Sequence, residues 1–351
     1  MQVLFTALGP SGAGLLLMVF LCLAVAVLSI YYLSLRRGAV TGAIALPLLA
    51  GMLASYLRYS PRPDVWSQMM VALVAVVVLA AEPHLAAPQP RAPRRLWVLP
   101  GLLLFWANLH AGFLAGFLVL GGFALFLADQ YRQRRNREYL LAMVPVALSL
   151  LTWLVNPYGP RIVALAGKIK DIPEVNLQIF EWMPLIWKPG FNLPWPVHAG
   201  LALLLALCVI AALGRQRPHW WRFGVAGAFL AFALYQRRQA GLAALVIPAM
   251  MATAPSALDE WFARRRAALL GSVAVLAAFI CGAQVRGILE AGSGWPVAAR
   301  NCRALPCLVT DYLSENRPPG LMFNSYGMGG YLLYFLSPET PVFIDGRLDV
   351  Y

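Results

Sequence analysis

Apolar residues run in long blocks along this chain, separated by short polar stretches rich in arginine and proline. A helix crosses a bilayer with about 20 apolar residues, fewer where it is shielded by protein. Ten blocks fit: 14–35, 39–57, 65–81, 97–110, 112–128, 139–155, 197–213, 223–235, 240–254 and 267–286. The stretch 96–128 is too long for one span, since a single helix there would extend about 50 Å against a hydrocarbon core of about 30 Å. Basic loops flank it on both sides (Arg91, Arg94, Arg95; Arg132, Arg134, Arg135, Arg137), which places both loops in the cytoplasm. The chain is therefore expected to turn back within Trp106–Gly112. The same argument splits 223–254 into two spans turning at Gln236–Gln239.

Composition agrees with this pattern. Of 351 residues, 60% are hydrophobic and 12% charged, and the mean hydropathy is +0.68. Soluble domains carry about 25% charged residues. The expected fold class is an all-α polytopic membrane bundle of about ten transmembrane helices with a small C-terminal extracytoplasmic α/β domain. A net charge of +13 would point to nucleic acid in a soluble protein. Here the basic residues sit between apolar blocks, where they orient the chain in a membrane, and nucleic acid is not an expected partner. With the N-terminus outside, every short loop with three or more arginines falls in the cytoplasm. Residues 1–35 carry no charge, and the first basic pair, Arg36-Arg37, follows the apolar block, so this is not a signal peptide.

The expected division is a transmembrane domain, 1–286, with an extracytoplasmic loop at 156–196, followed by a small domain at 287–351. That tail reads as helix over 296–316 interrupted at Pro306, a strand Leu321–Asn324, and a glycine turn Ser325–Gly330. An apolar segment Tyr331–Leu336 and a strand Val342–Asp345 follow. Ending within such a sheet, the chain reads as a fragment. Cys302 and Cys307 are expected to form a disulfide if the tail is extracytoplasmic. The four histidines are scattered and give no metal site.

With this topology, several polar residues gather on the outer face. Arg62 either snorkels to headgroups or binds a ligand. Asp64 reads as a helix N-cap, which leaves room for a second role. Asn108 and His110 satisfy a tight helical turn or support a site. Asn156 and Tyr158, in Asn-Pro-Tyr-Gly, read first as a turn. Glu181, between Phe180 and Trp182, is poorly solvated unless paired. Arg237 and Arg238 stand out, because a four-residue turn between two short spans would sink them below the headgroups. Guanidinium forks match phosphate oxygens and stay charged, so a lipid phosphate is their expected partner.

Taken together, Arg62-Pro63, Leu96–Pro100 running into Trp106–Gly112, Asn156–Gly159, Glu181-Trp182, Gly329–Leu332 and Phe343–Arg347 resemble a group of uncharacterised bacterial polytopic proteins. That group is similar to the GT-C superfamily of glycosyltransferases, which use polyprenyl-phosphate-linked sugars. The resemblance implies an inner-membrane enzyme that transfers a sugar on the extracytoplasmic face. Arg237, Arg238 and Arg62 would hold the lipid phosphate, and Glu181, with Asp64 second, would serve as catalytic base. GT-C enzymes carry an acidic residue in their first outer loop, whereas the first acidic residue here is Asp64. The alternatives are a transporter or flippase for lipid-linked saccharides and a non-catalytic membrane assembly protein.

Overall fold

The computed structural model describes residues 64–157, 219–251, 307–316, 322–336 and 340–343, with isolated positions before 54 and between 159 and 206. Two compact units are present, one of residues 16–276 and one of residues 1–15 with 277–351. Among the described residues the secondary structure is entirely helical.

The larger unit is built around α1 (Asp64–Ala86). Its buried positions lie on every side of the helix, including polar Ser67, Gln68 and Glu82. A helix apolar all round belongs in an interior, and neighbours do cover α1. At 23 residues it is about 34 Å long, enough to cross a bilayer. Its last carbonyls are capped from elsewhere: the Tyr139 hydroxyl donates to Leu85 O at 3.0 Å, and Arg134 donates to Ala86 O at 3.4 Å and to Ala87 O, just past the helix, at 2.8 Å.

The expected reversal within 106–112 is present. Helix α2 (Val98–Leu109) stops at His110, whose backbone is extended (φ −160°, ψ 138°). A 3-10 turn, Ala111–Phe113, leads into α3 (Leu114–Arg134). In a continuous helix Leu103 and Gly116 would be about 20 Å apart. A Cβ on Gly116 would instead lie 2.8 Å from the Trp106 ring and 3.1 Å from Leu103. The chain has doubled back, and only glycine fits at the crossing. α3 turns through Arg135, in the left-handed region (φ 50°), and Asn136, whose side chain caps Glu138 N at 2.9 Å, into α4 (Arg137–Leu151).

A second corner repeats this geometry. α5 (Trp220–Tyr235) stops at Gln236, extended at φ −138°, ψ 120°. A 3-10 turn, Arg237–Gln239, then starts α6 (Ala240–Met251), in which every described residue is buried. His110 N bonds to Trp106 O, and Gln236 N bonds to Phe232 O; Phe113 N and Gln239 N then bond back to His110 O and Gln236 O.

Among the described residues, three helical stretches are long and apolar enough to cross a membrane: Asp64–Ala86, Ala111–Arg134 and Arg137–Val155. Along α4, Leu140, Leu141, Val144, Leu148 and Leu151 are exposed together, an apolar stripe suited to lipid. The chain thus carries the marks of a membrane protein. The expected spans 97–110, 223–235 and 240–254 differ from this. α2 and the described part of α6 have 12 residues each, about 18 Å, and α5 has 16, about 24 Å. α2 and α5 end at their corners, at His110 and Gln236. Spans 14–35, 39–57, 197–213 and 267–286 lie largely outside the described residues.

In the smaller unit, α7 covers Cys307–Asn316, and α8 (Tyr326–Leu336) packs Leu332 and Leu336 against Val342. The expected α/β pattern is not seen among the described residues of this unit. The glycine turn forms the first turn of α8, because the i, i+4 pair Leu332/Leu336 buries one helical face. Residues 322–325 and 341–343 are not strands. The Asn324 side chain accepts from Phe343 N at 2.8 Å, where a ladder would have used backbone.

Candidate functional site

Polar side chains converge where the two corners meet, at the α1 end that holds Ser67. Ser67 is 1% exposed and lies on α1's first turn. Its Oγ accepts from Trp106 Nε1 at 2.9 Å and lies 2.7 Å from His110 Nδ1. The same ring nitrogen accepts from Gly112 N at 3.1 Å, so His110 caps the 3-10 turn that follows it. On the other side of the ring, Nε2 is 3.3 Å from Arg238 NH2, across 128 positions of sequence. His110 and Arg238 are both half-buried.

Two glycines make this meeting possible. A Cβ on Gly112 would press on Ser67 Oγ and lie 2.8 Å from His110 Nδ1. A Cβ on Gly241, early in α6, would lie 2.9 Å from the amide nitrogen of Gln68, itself 2% exposed. Small residues at these points let α3 and α6 approach α1 closely.

The residues expected to form a site are distributed as follows. His110 and Arg238 are in contact. Asp64 lies in the first turn of α1 and is buried at the same end, where a carboxylate suits the positive helix terminus. Asn156 lies there too and donates to Ala107 O at 2.6 Å, tying the chain after α4 to the last turn of α2. Asn108 is exposed and donates to Leu104 O of its own helix at 2.8 Å, which makes it part of the helix end and not of the cluster. The backbone of Arg237 belongs to the 3-10 turn, while its side chain is outside the described residues. Arg62, Tyr158, Glu181 and Cys302 also lie outside them. Cys307 is disulfide-bonded. No group of three or more metal-ligating side chains occurs among the described residues.

Sequence reasoning missed Ser67 and Trp106. Ser67 and Gln68 stand three and four positions after Asp64 in an otherwise apolar helix, the spacing of one helical face. That polar stripe was the available signal.

It also missed a second buried centre. Glu82 lies fifteen residues further along α1, about 22 Å from Ser67. Its Oε1 accepts from Trp221 Nε1 at 2.8 Å and from Arg222 Nε at 3.0 Å, and its Oε2 accepts from Arg222 NH2. The two charged residues are 1% and 7% exposed. Arg222 reads in sequence as a cytoplasmic loop charge; it is half of a buried ion pair within helix α5.

No family model, curated protein or solved structure matches this chain.

Proposed function

We propose that the chain is a bacterial inner-membrane protein that holds the phosphate of a polyprenyl-phosphate-linked sugar between Arg238 and His110, and that it serves GT-C-like sugar transfer. One observation carries this reading: Arg238 ends 3.3 Å from His110 at the junction of two helical corners, at the end of α1 whose first turn holds the buried Asp64. A guanidinium keeps its charge at any physiological pH and matches phosphate oxygens in a bidentate fork. Discontinuous helices whose broken ends meet inside a bundle are a recurring way to build an anion site in membrane proteins.

In the transfer, an acceptor hydroxyl oxygen would bond to the sugar's anomeric carbon as the bond from that carbon to the phosphate oxygen breaks. The lipid phosphate would leave with the electron pair, and the hydroxyl proton would pass to a carboxylate. Asp64 or Glu181 would be that carboxylate. Arg238 and Arg237 would stabilise the charge gained by the phosphate. In the ten-span topology this end of the bundle faces outward, as do residues 156–196 and the tail 287–351.

Replacing both arginines (Arg237→Gln with Arg238→Gln) is expected to weaken undecaprenyl phosphate binding at least about tenfold, the loss of a charge-assisted contact. Native mass spectrometry reads this, and equal binding by variant and wild type would refute the site. For the topology, cysteines introduced as Arg135→Cys and Asn176→Cys are to be probed in intact cells with a membrane-impermeant maleimide. Labelling at 176 and not at 135 is expected; the reverse would overturn the orientation.

A further inference from the structure

We infer that an anionic phospholipid binds along α2 and α4, with its phosphate held by Arg94 and Arg137 and its acyl chains on the exposed apolar faces of the two helices. The site lies at the opposite end of α2 from His110 and does not depend on the sugar-lipid site proposed above.

Helices α1 to α4 bring one charged end together. Arg134, at the end of α3, donates to the carbonyls of Ala86 and Ala87, the Tyr139 hydroxyl donates to Leu85 O, and Arg91 N donates to His84 O. Ala92 N, just before the 3-10 turn Arg94–Trp97, donates at 2.8 Å to Oε2 of Glu138 in the first turn of α4. That 3-10 turn packs on α4, and at the far end Asn156 donates to Ala107 O of α2. α2 and α4 therefore run side by side in the same direction, with their starts tied together.

Each of them carries an exposed apolar stripe headed by an exposed arginine. After Arg137, exposed Leu140, Leu141, Val144 and Leu148 follow at three, four, seven and eleven positions, which is one helical face. Side chains three apart eclipse one another in a 3-10 turn, so exposed Trp97 stands over Arg94. Val98, Leu104 and Phe105 continue the exposed apolar surface along α2. The 12 residues of α2 measure about 18 Å, against about 15 Å for half of a hydrocarbon core. The two stripes thus have the depth of one leaflet, with an arginine at the headgroup end of each.

That layout matches a phospholipid part by part. Guanidinium forks pair with phosphate oxygens, and their stems lie along apolar surface. Trp97, between arginine and hydrocarbon, is of the type enriched at the headgroup boundary. Arg91, Arg94, Arg95 and Arg137 are all exposed here, whereas an oxygen of Glu138, the acid in this first turn, is taken up by Ala92 N. The surplus of positive charge selects a net anionic headgroup over a zwitterionic one. A basic end also orients a chain in the membrane, and any arginine there serves that purpose. The lipid site requires two in particular. Arg132, 3.5 Å from Asp129, and Arg135, over the Tyr131 ring, belong to α3 and its following turn and supply a matched control.

The test titrates phosphatidylglycerol, or phosphatidylcholine with the same acyl chains, into the full chain in detergent and reads binding by native mass spectrometry. The wild type should bind phosphatidylglycerol about tenfold more tightly, and equal binding would overturn the proposal without any variant. Arg94→Gln with Arg137→Gln should lower phosphatidylglycerol affinity about tenfold and leave phosphatidylcholine nearly unchanged. Arg132→Gln with Arg135→Gln removes the same charge and should change it less than about twofold. Arg94→Lys with Arg137→Lys should keep most of the affinity. Thermal unfolding checks that each variant is folded. Equal losses in the two Gln pairs would show diffuse attraction to the basic end and overturn the site. Soluble glycerol 3-phosphate should fail to displace the lipid at equal concentration, because it lacks the chains. Displacement would assign the arginines to a soluble anion and overturn the lipid.

Discussion

Arg222 and Arg238 bracket the same helix, one in the first turn of α5 and one just beyond its end, and their partners differ in kind. Arg222 meets Glu82, a carboxylate whose two oxygens take both the guanidinium fork and the Trp221 N–H. Charge and hydrogen bonding are balanced inside the protein. Arg238 meets His110, a ring held from behind by Ser67 and Gly112. The ring itself supplies no negative charge to the guanidinium. The first arrangement is closed and ties α5 to α1; the second suits something brought to it. A buried arginine is therefore not by itself a functional sign, because its partner decides.

The largest expected effect tests the closed half of this comparison. Glu82→Leu strands a buried guanidinium, and breaking such a pair costs about 3–5 kcal/mol. Thermal unfolding in detergent should drop accordingly. The double change, Glu82→Leu with Arg222→Met, should recover most of the loss, because an apolar pair of similar volume serves about as well there. Arg238→Gln should move the same transition little, since its role is toward a ligand. If Arg238→Gln is as damaging as Glu82→Leu, the two arginines do the same job and the distinction fails.

Much of the larger unit could be read from the pattern of blocks and charges. The reversal near His110 follows from two basic loops flanking an apolar stretch too long for one span, and the break at Gln236–Gln239 follows likewise. That both corners share one hydrogen-bond scheme, and that they meet, was not legible. A contact such as His110 to Arg238 depends on helix packing, which hydropathy does not encode. Glu82 and Arg222 were hidden for another reason. The apolar blocks end at 81 and begin at 223, but the helices extend past both limits, to Ala86 and from Trp220. A charge just beyond an apolar block looks solvated unless its partner is known. In the tail, glycines at 327, 329 and 330 mimic a turn, and only the burial of Leu332 and Leu336 against Val342 makes the segment a helix.

The smallest expected effect concerns an arginine that has neither kind of partner. Arg134 is exposed at the end of α3 and donates to the carbonyls of Ala86 and Ala87, at 3.4 and 2.8 Å. Helix α1 ends there, and its last carbonyls need donors from outside the helix. Cations near a helix C-terminus also interact favourably with the dipole. Both contributions are screened by water at this exposed position, so Arg134→Gln should cost only about 0.5–1 kcal/mol. Lysine should recover part of that, as it restores the charge without the fork. The end of α1 is also tied to α4 by the buried Tyr139 hydroxyl on Leu85 O, which the substitution leaves intact. Thermal unfolding of Arg134→Gln should thus fall only slightly below the wild type. A loss approaching that of Glu82→Leu would mean that this exposed arginine, and not the buried pair, anchors the end of α1.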